Sequence, residues 1–105
     1  MKTAINLVAT PNQSVSANIS DANGTTHIVD MKLRTMPDGY LIMDMTIDNT
    51  PVFAGRRCVN KMPLVLGFPI TGNFYFMDQY ENTDPTYDGL GGRYLLIYDD
   101  EYTLD

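Results

Sequence analysis

Residue types that take part in chemistry crowd into one stretch near the C-terminal end of the chain, DPTYDGLGGRYLLIYDDEY, residues 84–102. Acidic and tyrosine side chains stand there on both sides of a run of glycines. Neighbouring carboxylates are ligands for hard cations, and successive backbone amides of a glycine-rich loop are ligands for phosphate. The stretch therefore raises a cation hypothesis and a phosphate hypothesis, beside a purely structural loop.

Neither ligand set is complete. A calcium loop of the EF-hand type would place Asp84, Asp88 and Gly89 at its first, fifth and sixth positions. Its twelfth position, which needs a bidentate Glu, would be Leu95, and no helical pattern flanks the stretch. The glycine run at 89–92 lacks the Lys-Ser/Thr of a phosphate loop and leads into a strand-like segment. We therefore predict no metal and no cofactor.

The other reactive side chains are isolated from one another. His27, the single histidine, lies beside a predicted turn with no Ser or Cys at a catalytic spacing. Cys58, the single cysteine, follows Arg56 and Arg57, which could lower its thiol pKa, but no base accompanies it. We interpret His27 as a surface or hairpin-packing residue and Cys58 as a packing residue. The chain is predicted to have no catalytic residues and not to be an enzyme.

The composition is that of an acidic chain of one domain's size. It has 105 residues, of which 44% are hydrophobic, and a formal net charge of −6. An acidic surface repels phosphate backbones, so no nucleic-acid contact is expected. No apolar run approaches the roughly 20 residues that cross a bilayer, and the N-terminus does not resemble a signal peptide. We expect a single β domain over 1–105, made in a reducing cytoplasm.

Hydrophobic and polar residues alternate along the N-terminal half, as in antiparallel strands with one buried face. Strands are predicted near 13–21, 25–35 and 40–48. Three-residue turns at 22–24 and 37–39 let apolar residues oppose apolar residues, and each turn ends in a glycine that can adopt the required positive φ. The opposed apolar pairs are then Ala17–Val29, Val15–Met31, Leu33–Met43, Met31–Met45 and Val29–Ile47, with Lys32 opposite Asp44 on the other face.

The second half of the chain is less regular. Strands are predicted at 52–59, 73–78 and 93–98. A long loop occupies 79–92, and prolines and glycines break residues 60–73 into short pieces. The last strand, RYLLIY, is apolar on both sides, which implies a central strand or one covered by a partner. The predicted fold class is all-β: a small antiparallel β-barrel or sandwich built on the meander, with essentially no helix.

Aromatic surface is in excess near the C-terminal end. Tyrosine is enriched in protein interfaces because it adds a large contact area with few rotatable bonds, so this distribution indicates assembly. The tyrosines concerned are Tyr75, Tyr80, Tyr87, Tyr94, Tyr98 and Tyr102.

Four segments carry a resemblance to a known family: PNQSVSANI (11–19), TPVFAGRRCVNKMPLV (50–65), GNFYFMD (72–78) and DPTYDGLGGRYLLIYDDE (84–101). On these segments the chain resembles the baseplate plug family of contractile-tailed bacteriophages. The last two are the most specific, since an aromatic strand, Asp-Pro-Thr-Tyr-x-x-Leu-Gly and an apolar strand follow one another. The chain departs from the family at GFPITG (67–72), where other members carry Leu-Leu or a similar run.

The resemblance implies a small, non-enzymatic structural protein of the virion tail baseplate, in the central plug or hub region near tube and spike, assembled in the host cytoplasm. The implied partners are other phage tail proteins (hub, spike, tube or wedge subunits) and copies of itself, without a membrane. We hypothesise that residues 84–98, which begin with the signature loop 84–92, are an inter-subunit contact region. The interface residues of that hypothesis are Asp84, Pro85, Tyr87, Leu90, Gly91, Tyr94 and Tyr98.

Two other function classes stay open at this point. One is a free-standing β-barrel that binds a cation or small ligand through the acidic glycine-rich loop 84–92. The other is a small hydrolase, which the missing nucleophile–base motif disfavours. For the contact hypothesis, the alternative is that Tyr87 and Leu90 fold back onto the chain's own core, as loop residues often do.

Overall fold

The fold consists of two antiparallel β-sheets, seen in a computed structural model that describes residues 2–65 and 72–102. The strands are β1 Lys2–Ile5, β2 Asn12–Ser20, β3 Thr26–Thr35, β4 Leu41–Ile47, β5 Thr50–Arg57, β6 Asn73–Asp78 and β7 Tyr94–Asp99. One sheet has the order β2-β3-β4-β5 and the other the order β1-β7-β6. Within the described ranges, the helical content is one 3-10 turn, Tyr87–Gly89.

The predicted meander is confirmed in its strands and its register. In every predicted apolar pair between β2, β3 and β4, the two residues lie directly opposite each other on neighbouring strands. Gly24 and Gly39 close the two turns with φ angles of 80° and 92°. Lys32 lies opposite Asp44 as predicted, but the short ion pair of that carboxylate, 3.0 Å, is with Nη2 of Arg34.

The second sheet contains one strand that the sequence did not reveal. β6 has the predicted bounds, and β7 lies one residue later than predicted. β7 is the central strand, between β1 and β6, which confirms one of the two interpretations of its apolar character. The short β1 has a single buried residue, Ile5, and so shows no alternation from which a strand could be predicted.

One cluster of buried side chains fills the space between the sheets. Met31, Met43 and Met45, on the apolar face of the meander, belong to it. From the four-stranded sheet, β4 contributes Leu41, Met43, Met45 and Ile47, none more than 1% exposed. From the other sheet come Phe74, Phe76, Leu96 and Tyr98, none more than 2% exposed.

The two sides of the sandwich differ. Between β5 and β6 the chain runs along β6, where the amides of Lys61 and Leu64 donate to the carbonyls of Phe76 and Phe74 at 2.7 and 3.0 Å. On the other side, β1 pairs only with β7, and β2 only with β3, among the described residues. A depression of about 250 Å³ separates these two strands. The fold is therefore a sandwich and not a closed barrel.

The broken character predicted for 60–73 is tested only in part. Residues 60–65 have no regular strand, in agreement with the prediction. Residues 66–71, which include most of the GFPITG departure from the family pattern, lie outside the described residues.

Candidate functional site

The loop between β6 and β7, residues 79–93, is anchored on one buried carboxylate, that of Asp78. Nε and Nη2 of Arg93 each donate to it at 3.1 Å. It also accepts hydrogen bonds from the amides of Tyr80 and Thr83, at 3.0 and 3.1 Å, and from the Thr83 hydroxyl at 2.7 Å. The Arg93 guanidinium holds the pKa of the Asp78 carboxyl far below its usual range. The start and the end of the loop are thus tied to one ionised group.

A second carboxylate, that of Asp84, ties the middle of the loop to the chain that follows β5. Its Oδ1 accepts the Asn60 amide at 3.0 Å, and its Oδ2 lies 3.8 Å from Nη2 of Arg57. The Asn60 side chain in turn accepts the Asp78 amide at 2.9 Å. Pro85, the next residue, is buried. The predicted signature loop is therefore held at its first residues by the chain's own contacts.

The 3-10 turn separates the two residues predicted as anchors of a contact. The Leu90 amide donates to the Tyr87 carbonyl at 3.2 Å, which closes the turn. Leu90 is only 4% exposed and belongs to the core cluster, whereas Tyr87 is 37% exposed. Of this pair, Tyr87 alone presents its ring to the surface.

Gly91 brings two backbones together, as its residue type suggested, but both belong to this chain. Its φ is 81°, and its amide donates to the Tyr94 carbonyl at 3.1 Å. A Cβ at this position would overlap the carbonyl oxygen of Leu7, in the segment between β1 and β2. The close approach therefore fastens the loop to the opposite end of the chain.

The two predicted tyrosines of β7 are core residues. Tyr94 is 5% exposed, and its hydroxyl lies 3.0 Å from that of Thr83. Tyr98 is 2% exposed, and its ring centroid lies 4.9 Å from that of Phe74. Both side chains belong to the core cluster between the sheets.

The seven residues of the contact hypothesis thus divide into two groups. Asp84, Tyr87 and Gly91 reach the surface at least in part. The residues that are buried in the chain itself are Pro85, Leu90, Tyr94 and Tyr98. An inter-subunit contact at this loop stays a prediction, and it now rests on the exposed group.

Beside the loop, the outer face of the β1-β7-β6 sheet is apolar. Met77, Leu95 and Ile97 point outward from β6 and β7 and are half-buried. Tyr75 lies on the same face, with its ring centroid 5.9 Å from that of Tyr102. A surface depression of about 250 Å³ on this side is lined by Lys61, Tyr75, Met77, Asp99 and Tyr102.

The acidic loop offers little to a cation, because its carboxylates already have donors. Asp78 and Asp84 are held as described, and Asp88 accepts the Thr86 hydroxyl at 2.5 Å. Over residues 2–65 and 72–102, no group of three or more His, Cys, Asp and Glu side chains is placed to hold a metal ion. The geometry is that of a loop fixed to its own domain.

The comparison with known families covers nearly the whole chain. The profile of the family described as cyanophage baseplate Pam3 plug gp18 matches residues 3–101. The chain belongs to this baseplate plug family. The matched range includes both sheets and the whole loop, so the resemblance found in the sequence is confirmed. No curated protein matches the chain.

Membership of the plug family indicates a component of a phage baseplate plug. None of the helices in the described ranges is long and apolar enough to cross a membrane.

A polar cluster that the sequence did not reveal lies at the turn end of the four-stranded sheet. The imidazole of His27 is 7% exposed, with Nδ1 2.7 Å from Oδ2 of Asp48 and Nε2 2.9 Å from Oδ2 of Asp21. A neutral imidazole donates through one nitrogen only, so the charged form fits both contacts. The bonds to Asp48 and then Asp21 raise the pKa of His27. The histidine has a hairpin role, in agreement with its interpretation, and joins the turns that flank β3 and β4.

Cys58 is a packing residue, as interpreted, and its thiol pKa is raised and not lowered. The thiol is fully buried, and burial raises its pKa to about 12. The neighbouring arginines do not lower the thiol pKa because their guanidinium groups contact other residues. Arg56 donates to the Leu64 carbonyl at 2.9 Å, and the guanidinium of Arg57 lies 4.7 Å from the ring centroid of Tyr40.

The anchoring residues had a signal in the sequence that went unused. Asn73 and Asp78 bracket the buried aromatic strand, and polar residues that flank such a strand need partners. Oδ1 of Asn73 accepts the amides of Leu64 and Val65 at 3.1 and 2.8 Å. Arg93, which directly precedes the next strand, lies within reach of the end of β6 in any β6–β7 hairpin.

Proposed function

We propose that this chain is a structural subunit of the central baseplate, near tube, hub and spike, that acts through protein–protein contacts. The observation that carries the proposal is the family match over residues 3–101. Its location is then the virion tail, and its partners are hub, spike, tube or wedge subunits.

The structure supports this proposal through the internal contacts of the β6–β7 loop, residues 79–93. Asp78 and Arg93 fix its two ends, and Gly91 is seated against Leu7. A loop that is ordered before binding loses little conformational entropy on contact, so more of the contact energy remains for affinity. Tyr87, on the outer side of the 3-10 turn, is the side chain best placed to fill a partner pocket.

A free-standing ligand-binding protein is not supported by a specific observation. Its predicted site was the acidic loop 84–92, and the carboxylates there accept hydrogen bonds from neighbours in the same chain. The loop is shaped by these internal contacts, whereas a cation site would turn its oxygen atoms toward one point.

Amine-specific cross-linking of purified tails, followed by mass spectrometry, tests the proposal. Lys61 is a convenient reporter because its Nζ lies 3.1 Å from Oδ1 of Asn82, beside the loop. Lys32, exposed on the other sheet, is the internal control. Cross-links from Lys61 to hub, spike, tube or wedge subunits support a central baseplate location. Purified tails that lack the chain, or links only to capsid proteins, would contradict it.

A further inference from the structure

β2 lies at the edge of the four-stranded sheet and is an unusual edge strand. β2 has nine residues, NQSVSANIS, with no charge and no proline, and its pairing with β3 runs without a register shift. Exposed edges of this kind invite pairing with another chain, and proteins normally protect them with charges, prolines or bulges. The opposite edge of the same sheet has all three protections: β5 contains Pro51, Arg56 and Arg57, and its pairing with β4 is interrupted by register shifts.

The hydrogen-bond pattern shows which groups face the free edge. The Asp48 amide donates to the Ile28 carbonyl at 2.8 Å, so even-numbered residues of β3 bond toward β4 and odd-numbered ones toward β2. The odd-numbered residues of β2 lie opposite these odd-numbered residues of β3, so their backbone groups bond to β3. The Asp21 amide, for example, donates to the Thr25 carbonyl. The backbone groups of Ser14, Ser16 and Asn18 therefore point away from the sheet.

Apolar surface lies next to this free edge. Val15 and Ala17 point inward, yet they are only half-buried, because no described strand continues the sheet beyond β2. They line the depression of about 250 Å³ between β2 and β1. A strand added to β2 would cover them and satisfy the free backbone groups in one step.

We propose that this added strand is β2 of a second copy of the chain, paired antiparallel about a two-fold axis at Ser16. Ser14 then pairs with Asn18 of the other copy, and Ser16 with its own counterpart, so six backbone hydrogen bonds form. On the inner face, Val15 of each copy meets Ala17 of the other. The bonds stop short of the strand ends, because the Asn12 carbonyl already accepts the Thr10 hydroxyl at 3.1 Å.

The charge distribution favours this edge as the contact between two copies. The chain has a net charge of −6, so two copies repel one another wherever acidic surfaces meet. The β2 edge is free of charge along its length, and every opposed pair in this register is uncharged. A two-fold contact of one patch with itself is also the commonest way in which identical chains associate. The proposal concerns the isolated chain and does not depend on the baseplate assignment.

Sedimentation of the purified chain over a wide concentration range is the first test. The expected result is a particle of twice the 11.8 kDa chain mass. Ser16→Pro removes an amide that points to the free edge and none that bonds β3, so it should halve the mass and leave the circular dichroism unchanged. Ser16→Thr keeps the amide and should keep the dimer. A chain that is monomeric throughout, or a dimer that survives Ser16→Pro, overturns the proposal.

Disulfide trapping tests the register even if Ser16→Pro does not fold. The native Cys58 is fully buried and does not compete. Ser16→Cys places two thiols opposite one another at the two-fold axis, within the Cα separation of about 7 Å that a disulfide spans. Ser20→Cys, four residues along the same strand, places them roughly 27 Å apart. The proposal predicts at least tenfold more cross-linked dimer with Ser16→Cys. Equal trapping at both positions, or none at Ser16→Cys, refutes it.

Discussion

The backbone of Gly91 lies against the carbonyl oxygen of Leu7, so closely that a Cβ at residue 91 would overlap that oxygen. The contact joins the signature loop to the segment between β1 and β2, although the two are far apart in the sequence. The loop is therefore packed against the folded domain, which explains why residue 91 is a glycine.

We expect Gly91→Ala to lower the free energy of unfolding by roughly 2–4 kcal/mol, because it combines a disfavoured positive φ with a steric overlap. Gly24→Ala is the matched control, since its φ of 80° is nearly the same and its Cβ would meet no atom within 4 Å. The control should cost only about 1 kcal/mol. Urea denaturation of both variants measures the difference, and equal losses would mean that the Leu7 contact is not tight.

The His27 cluster predicts that stability depends on pH in two ranges. The folded-state pKa of His27 is raised above 6.5, so its contribution is complete below pH 6.5 and is lost as pH rises through the raised value. The pKa values of Asp21 and Asp48 are lowered from 3.8, so their contribution is present above pH 3.8 and is lost as pH falls through the lowered values.

Melting temperatures measured across the pH range test the contribution of His27 to stability. From about pH 6 to about pH 9, the wild-type chain should lose a few degrees, while His27→Gln should start lower and change little. Glutamine donates through one end only and has no proton to lose in this range. A His27→Gln variant that shows the same alkaline loss as the wild type would assign the loss to another group.

Asp78→Asn should loosen the loop without unfolding the sheets, since it keeps the side-chain shape but removes the charge that holds Arg93. Hydrogen exchange at the Tyr80 and Thr83 amides should become roughly tenfold faster, with β3 and β4 unchanged. Asp88→Asn, which affects only an exposed carboxylate, should leave the same amides as they are. Unchanged protection in Asp78→Asn would show that the loop does not need this ion pair.

Tyr87→Ala should reduce incorporation of the chain into baseplates while leaving its melting temperature nearly unchanged. Interface tyrosines that fill a pocket often contribute more than 1 kcal/mol, and this ring is exposed in the isolated chain. Tyr80→Ala is the control, because Tyr80 lies in the same loop, is 76% exposed and stands outside the family signature. Normal incorporation of Tyr87→Ala, or an equal loss in Tyr80→Ala, would remove Tyr87 as the contact.

The meander could be predicted because local rules determine it. Alternation, three-residue turns and the positive φ of Gly24 and Gly39 leave one register that keeps apolar residues together. β1 could not be found in this way, because its position depends on β7, which lies at the other end of the chain. Short strands that are defined only by distant partners have no periodic signal of their own.

The contact hypothesis shows the same limit on a smaller scale. The sequence placed both predicted anchors in one loop, but it could not separate Tyr87, which is exposed, from Leu90, which is buried three residues later. That separation is set by the 3-10 turn, by the ion pair of Asp78 with Arg93 and by the contacts of Asp84 with Asn60 and Arg57, and these last contacts depend on residues distant in the sequence. The overlooked sequence signal for these ties was the presence of charged residues at strand ends.

A cryo-electron microscopy map of the assembled tail tests the proposed function most directly. We expect density for the two-sheet fold in the central baseplate, near tube and hub, with the ring of Tyr87 against a neighbouring chain. A well-resolved baseplate with no density for this fold would contradict the proposed function. If the fold is present with Tyr87 facing solvent, the proposed contact loop is wrong.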